Sequence, residues 1–329
     1  MAALLLAAAA PARAADPSAF DGQGMWIYVL ASSNGGDVES IALAAQARGV
    51  STLVFKAGDG TRYWPQFSRP LVDALHAHGL RVCAYSRIFS RKPRTEARVS
   101  ARAVLEAGAD CFVIDAEKEY EARYPQARAY MSELRRLVGP DYPLGLTSFP
   151  YVDLHRSLPY SVFLGPGGAQ FNLPQIYWRA IGDTVDAAFA RTYAWNRLYG
   201  RPIRPLGQVW MNPPASDVVR FRELAAAYGS SGWSWWSWQS AGPRALAGLT
   251  LPLNGLAGTL APQQPTPPTL RRGARGDVVR LAQGRLGMEQ TGFFGADTKR
   301  AVRSLQAMRG LPKTGALDPL TWAALASGP

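Results

Sequence analysis

Two carboxylates one residue apart follow an apolar run in this 329-residue chain. The run Phe112–Ile114 leads into Asp115, Ala116 and Glu117. On a β-strand alternate side chains share a face, so Asp115 and Glu117 point the same way. Such a pair suits glycosidic bond cleavage, because one acid can protonate the leaving oxygen while the other stays ionised. Acids at a strand end can also form a salt bridge or cap a helix, so the spacing alone leaves both interpretations open.

Alternating strands and helices predict the scaffold that positions these acids. Repeated alternation implies parallel pairing, and eight units within residues 20–250 fit an α/β fold, a (β/α)₈ TIM-type barrel. A doubly wound sheet is the alternative, but the first strand is not followed by a Gly-rich phosphate-binding loop. One helix is expected to start after Ser68, with Pro70 just inside it and Gly79 just past its end. The predicted strands are Met25–Leu30, Val50–Lys56, Arg81–Ser86, Cys111–Ala116, Leu144–Ser148, Leu173–Trp178, Arg204–Trp210 and Trp233–Trp238.

The carboxyl ends of the strands form the active sites of such barrels. Indole faces stack on sugar rings, and amide and phenol groups hold hydroxyl and acetamido groups. Tryptophans at alternating positions can equally belong to the core. Glu119 and Glu121 are expected to be solvated loop charges. Besides Asp115 and Glu117, the candidate substrate-binding residues are Lys56, Asp59, Tyr85, Arg87, Gln175, Tyr177, Trp178, Trp210, Asn212, Trp235, Trp238 and Gln239.

The barrel segment resembles glycoside hydrolases. Asp115-x-Glu117, Gln175–Trp178 and Trp238-Gln239 are similar to the lysozyme-type muramidases of glycoside hydrolase family 25, and Asp-x-Glu also resembles chitinase-like barrels. In both groups the Glu is the proton donor and the Asp its electrostatic partner. The resemblance therefore implies these roles for Glu117 and Asp115.

The departures from both families keep other functions open. Muramidases usually carry a further acid where this chain has Met25–Tyr28, and chitinases carry an Asp where Val113 stands. The main expectation is a glycosidase that cleaves wall glycan, with the substrate's acetamido oxygen as the attacking group. A non-catalytic wall-binding barrel and a glycosidase for another polysaccharide are the alternatives.

A small all-α module is expected after a Pro-rich linker. Residues 251–268 are rich in Pro and Gln, which predicts a semi-rigid linker. Residues 269–327, called the C-terminal module below, follow with three predicted helices. Asp277 and Asp297 stand where the N-caps of the first two are expected. The three helices are predicted over Val278–Leu286, Thr298–Met308 and Pro319–Leu325.

The C-terminal module resembles the peptidoglycan-binding domain family. Ala282 and Gly284 depart from the family pattern, and a helical glycine costs about 1 kcal/mol relative to alanine. A net charge of +6 over this module suits an anionic wall polymer. The motifs that carry the resemblance are Leu270–Asp277, Val279, Gln283, Leu286, Gly292–Gly295, Thr298, Ala301-Val302, Leu305-Gln306, Gly310-Leu311, Thr314-Gly315, Asp318 and Thr321-Trp322.

Charge and the N-terminal residues indicate where the protein works. The net charge of +12 predicts an anionic partner, and we expect peptidoglycan or another wall glycan rather than nucleic acid. Residues 1–15 are Leu/Ala-rich and resemble a secretory signal peptide, although an Ala-rich tail is the alternative. We expect a secreted or periplasmic, wall-associated monomer without a membrane span.

The cysteine content concerns a possible disulfide, and the histidine content argues against metal catalysis. Cys83 and Cys111 are expected to be buried thiols, with a disulfide left open as the alternative. Three histidines without a zinc-peptidase pattern predict neither a metal site nor a cofactor.

Overall fold

The computed structural model describes residues 18–253 and 265–326. The predicted signal peptide and residues 254–264 of the predicted linker lie outside the described residues. Among the described residues, the strands are β1 (Gly22–Ile27), β2 (Thr52–Asp59), β3 (Arg62–Tyr63), β4 (Arg81–Ile88), β5 (Cys111–Ala116), β6 (Leu144–Ser148), β7 (Phe171–Ile176), β8 (Leu206–Gln208) and β9 (Gly232–Trp236).

Eight parallel strands close into a barrel within the described part of the chain. β1 pairs in parallel with both β2 and β9, while β3 is a short antiparallel addition to the end of β2. The predicted (β/α)₈ barrel is confirmed. β7 ends at Ile176, two residues before its predicted end, and β8 is shorter at both ends than predicted. These boundaries change which of the predicted residues reach the site.

The helices surround the barrel and build the C-terminal module. Ser68 precedes α2 and Pro70 lies in its first turn, as predicted, while Gly79 follows with φ +71°. The N-caps of α10 and α11 are Gly276 and Gly295 rather than the predicted aspartates. In the described residues the helices are α1 (Val38–Gln46), α2 (Arg69–Ala77), α3 (Pro93–Leu105), α4 (Tyr124–Val138), α5 (Tyr160–Phe163), α6 (Trp178–Ile181), α7 (Val185–Asn196), α8 (Ala215–Ala227), α9 (Pro243–Ala247), α10 (Asp277–Arg285), α11 (Ala296–Met308) and α12 (Pro319–Ala326).

A disulfide bond joins Cys83 and Cys111, which corrects the expectation of two thiols. The two residues are register partners on β4 and β5, and both are fully buried. Two positions further along these strands Tyr85 faces Val113, and four positions further Arg87 faces Asp115. The disulfide thus links the strands that position this arginine and this acid.

The barrel interior is filled with aromatic and aliphatic side chains below the site. Trp26, Tyr85, Val113 and Leu173 belong to this interior cluster. The outer faces of the strands pack against the helices in a larger core. Among residues 18–253 and 265–326, none of the helices is long and apolar enough to cross a membrane.

Candidate active site

A cleft of about 420 Å³ opens at the carboxyl ends of the barrel strands. A larger cleft of about 660 Å³ lies at the opposite end of the barrel, away from the paired acids. Because the smaller cleft contains Asp115 and Glu117, it is the candidate active site. Its lining residues are Trp26, Tyr28, Lys56, Asp59, Tyr85, Arg87, Phe89, Asp115, Glu117, Thr147, Gln175, Tyr177, Leu206 and Trp236.

Asp115 and Glu117 lie together in this cleft. Asp115 is the penultimate residue of β5 and is 8% exposed, whereas Glu117 follows the strand with a side chain 19% exposed. The two carboxyl groups are close enough to interact. The Gln175 amide nitrogen lies 3.5 Å from Asp115 Oδ1 and 3.3 Å from Glu117 Oε1. The more accessible Glu117 is therefore better placed to meet a ligand, with Asp115 behind it.

The environment of Asp115 favours its protonated form. Burial, followed by the nearby Glu117 carboxylate, raises the pKa of Asp115 to about 8. Arg87 and Lys56 oppose that rise without cancelling it. Two carboxyl groups this close share a proton because ionising both places like charges in contact. With a pKa of about 8, Asp115 keeps a proton at neutral pH, and such a proton is what general acid chemistry needs.

Arg87 organises the acids at the mouth of the cleft. Its Nη1 lies 2.9 Å from Glu117 Oε2, and its Nη2 lies 2.9 Å from Glu119 Oε2. Glu119 was expected to be a solvated loop charge, but its side chain is 26% exposed and bound to Arg87. The arginine therefore joins Glu117 to the loop acid Glu119 through two ion pairs.

Lys56 forms a second buried cationic centre beside the acids. Its Nζ lies 2.7 Å from Asp59 Oδ1 and 4.9 Å from the ring centroids of both Tyr28 and Trp64. The neighbouring Tyr85 hydroxyl is buried without a hydrogen-bond partner among the described residues. Burial holds the pKa of Tyr85 well above its usual range. The phenol therefore keeps its proton and can donate a hydrogen bond to a ligand.

Trp236 forms an aromatic wall that the predicted set of site residues lacked. Its ring centroid lies 5.8 Å from those of both Trp26 and Tyr85. Ser234 and Trp236 face the barrel interior, whereas Trp233 and Trp235 face outward. The strict alternation along β9 contains this information, but the sequence does not say which face is inside.

The structure corrects the placement of Trp235 and Trp178. Trp235 was predicted to bind substrate, yet it is fully buried outside the barrel wall with its ring 4.8 Å from that of Phe221. Trp178 was also predicted there, but it begins α6 and its indole nitrogen lies 3.2 Å from Asp217. Gln175 and Tyr177 are two residues apart and both line the cleft, so the intervening alternation turns Trp178 away from it.

Four further predicted residues lie outside the lining of the cleft. Asn212 Oδ1 accepts hydrogen bonds from the backbone N–H groups of Arg244 and Ala245, which start α9. The Trp210 ring packs edge-on against Tyr177 at 6.2 Å. Gln239 accepts a hydrogen bond from the Tyr28 backbone at 3.3 Å, and Trp238 donates one to Asn34 at 3.1 Å. The structure brings together the remaining predicted residues, which are Lys56, Asp59, Tyr85, Arg87, Asp115, Glu117, Gln175 and Tyr177.

Comparison with known proteins characterises the two parts of the chain. A family model described as "Putative peptidoglycan binding domain" matches residues 277–325. The C-terminal module is a domain of this family. A search of curated protein sequences finds no match to the chain.

The barrel has the fold of glycoside hydrolases. It is similar to an endo-β-1,4-mannanase from Thermotoga petrophila, with a TM-score of 0.54, 10% identity, and coverage of 67% of this chain and 68% of the mannanase. It is also similar to the endo-1,4-β-mannanase from Rhizomucor miehei, with a TM-score of 0.53 and 6% identity. That match covers 66% of this chain and 86% of the mannanase. A chitinase from Aspergillus fumigatus is similar as well, with a TM-score of 0.50 and 14% identity. That match covers 67% of this chain and 93% of the chitinase. At such identities these likenesses concern the fold alone.

Proposed function

We propose that the protein is an exported glycosidase that hydrolyses cell-wall glycan, with a muramidase-like preference for N-acetylated amino sugars. The observation that carries this proposal is the pair Asp115 and Glu117, which lie together inside an aromatic-walled cleft where burial raises the pKa of Asp115. The glycoside hydrolase-like barrel and the attached peptidoglycan-binding domain support the same substrate class. Wall association follows from that domain.

The two acids have separate roles in the proposed reaction. Substrate binding draws Glu117 away from Arg87, and the proton of Asp115 passes to Glu117. Glu117 then protonates the glycosidic oxygen as the bond to the anomeric carbon breaks. The ionised Asp115 accepts a hydrogen bond from the acetamido N–H while the acetamido oxygen attacks the anomeric carbon. Water then opens the cyclic intermediate, with Glu117 taking its proton.

Other residues of the cleft hold the sugar during these steps. Tyr177 and Gln175 border both acids, so they are placed to bind the acetamido group. The free Tyr85 hydroxyl provides a further donor, and Trp236 provides a flat face for a sugar ring. Hydrogen bonds that are made in a dry, preformed cleft contribute more than the same bonds in water.

The Cys83–Cys111 disulfide supports the proposed export. Structural disulfides persist in oxidising compartments such as the periplasm and the extracellular space. Together with the signal-like residues 1–15, it favours a location in which the protein reaches the wall.

A non-catalytic, wall-binding barrel is the second candidate. The contacts of Arg87 with Glu117 and Glu119 favour it, because Glu117 must leave an ion pair before it can act on a substrate. This function requires no proton transfer, so it predicts glycan binding that survives the loss of Glu117.

The test compares wild type with Glu117→Gln on purified peptidoglycan, and identifies released fragments by mass spectrometry. We expect new reducing ends from wild type and at least a hundredfold fewer from the variant. Glu106→Gln serves as the matched control, since Glu106 pairs with Arg102 on the outer surface of the barrel. Equal sedimentation of wild type and Glu117→Gln with the wall, without fragments from either, would favour the binding function or a different glycan substrate.

A further inference from the structure

The outer layer of the barrel is incomplete after β6. A (β/α)₈ barrel covers each strand with a following helix. The strand β5 is followed by α4 with 15 residues, whereas β6 is followed by α5 with four. Such a short helix cannot cover the side of the barrel by itself, yet its residues Tyr160 and Phe163 are almost fully buried. Another element must shield them.

The first helix of the C-terminal module occupies this position. α10 lies against α5, and its residues Val279 and Ala282 are buried in the same hydrophobic core as Tyr160 and Phe163. The module and the barrel therefore share one continuous core. A freely tethered anchor would keep an apolar core of its own.

Asp277, the first residue of α10, is fully buried at this contact. Its carboxylate accepts hydrogen bonds from the Ser161 backbone N–H at 2.8 Å, the Ser161 hydroxyl at 2.6 Å and the Tyr199 hydroxyl at 2.9 Å. Its own backbone N–H donates to Arg156 at 2.6 Å. Burial raises the pKa of Asp277 to about 6, and the hydrogen bonds from Ser161 and Tyr199 limit the rise. All these partners belong to the barrel.

Further contacts continue along the same helix. The Arg285 guanidinium donates to the Leu198 carbonyl at 2.6 Å, and the Arg280 guanidinium lies 4.2 Å from the centroid of the Tyr124 ring. Gly276 precedes the helix with φ +117°, and a Cβ atom there would lie 2.8 Å from Arg156. The backbone approach therefore requires glycine at this position.

We propose that α10 serves as the missing outer helix of the barrel, so that the C-terminal module is a fixed part of the barrel domain rather than a flexibly tethered anchor. Burying a carboxylate is unfavourable unless dedicated donors receive it, and here the barrel supplies three. A permanent interface accounts for that arrangement.

Fixed docking has a consequence for the proposed glycosidase, and this step rests on the proposed function. A basic cleft of about 450 Å³ on the module is lined by module residues such as Arg271, Arg272 and Lys299, so docking leaves it open. The contact residues Tyr124 and Arg156 lie in the segments that follow β5 and β6 at the mouth of the active site. Wall contact and catalysis are thus held at one constant geometry, unlike the variable reach of a linker.

The test inserts a specific protease site between residues 254 and 264 of the full chain and cleaves the folded protein. We expect the two fragments of the wild type to coelute in size-exclusion chromatography. The Asp277→Ala variant should release most of the module after cleavage, whereas Asp297→Ala should not. Asp297 is the matched control because it lies in the first turn of α11 and is exposed.

Separation of the wild-type fragments would overturn the proposal, and so would coelution of the fragments of Asp277→Ala. Calorimetry of the uncut chains gives an independent readout. One cooperative transition is expected for wild type, and two for Asp277→Ala. Two transitions in wild type would likewise contradict fixed docking. Neither measurement uses glycan hydrolysis, so failure here is distinguishable from failure of the proposed function.

Discussion

Replacement of Arg87 by methionine tests the electrostatic logic of the site most directly. Arg87 contacts Glu117 and Glu119 at 2.9 Å each, and its charge also lowers the pKa of Asp115. Methionine removes the charge while keeping a long side chain. With the positive charge gone, the carboxyl pair must hold its proton more tightly.

Coulomb's law gives the order of magnitude of the expected rise in the pKa of Asp115. A charge pair about 4 Å apart interacts by about 4 kcal/mol at an effective dielectric constant near 20. Partial exposure of Arg87 reduces this, so we expect about 1.4 to 3 kcal/mol, which equals about 1 to 2 pH units. The pKa of Asp115, about 8 in the wild type, governs loss of the shared proton at high pH. The alkaline limb of the activity profile should therefore move upward by that amount.

The assay measures kcat/KM on a soluble wall glycan between pH 4 and pH 11. Carbon-13 NMR of the side-chain carboxyl groups provides a titration that does not depend on activity. Arg87→Lys retains the charge and should keep the alkaline limb close to that of wild type. Unfolding curves of each variant must accompany the profiles, because leaving Glu117 and Glu119 unpaired should lower the free energy of unfolding by about 1 to 3 kcal/mol. A folded Arg87→Met protein whose alkaline limb stays in place, or moves to lower pH, would refute this reasoning.

Two further predictions concern the disulfide and the aromatic wall. The double variant Cys83→Ser/Cys111→Ser should lose about 3 kcal/mol of unfolding free energy in urea titrations, because the bond closes a loop with a sequence separation of 28. Addition of a reductant to wild type should reproduce that loss, and an unchanged urea midpoint would mean that the bond does not stabilise the fold. Trp236→Ala should raise KM for soluble glycan about tenfold because a stacking face is lost. The outward-facing Trp233→Phe should leave KM unchanged, so equal KM values for Trp236→Ala and wild type would remove Trp236 from the sugar-binding wall.

The succession of strands and helices could be predicted from the sequence because it depends on the order of residues within short segments. Eight apolar runs separated by helix signals predicted the barrel, and alternation within β5 placed Asp115 and Glu117 on one face. The motifs of the C-terminal module likewise predicted the domain family that the comparison confirms. These features follow from side-chain periodicity and short-range spacing, which any single segment carries by itself.

The sequence predicted less well which side chains of a strand face the inside of the barrel. Trp235 and Trp236 are adjacent and chemically identical, so the composition of β9 could not say which one faces the cleft. A shift of one residue in the register of β9 would exchange the two side chains between the inner and outer faces. That register is set by the pairing of β9 with β1 and β8. For Trp178 the sequence did contain the answer, because alternation from Gln175 places Tyr177 rather than Trp178 on the inner face.

The sequence by itself determined the succession of elements, the acidic pair and the identity of the C-terminal module. Only the tertiary structure decided that Cys83 and Cys111 form a disulfide, that Arg87 holds Glu117 and Glu119, and that the Asp277 carboxylate accepts hydrogen bonds from the barrel rather than capping its own helix. These contacts join residues distant along the chain, and their existence depends on strand register and on the space left by a short helix. Short sequence patterns specify neither the strand register nor that space, because both are set only when the whole chain has folded.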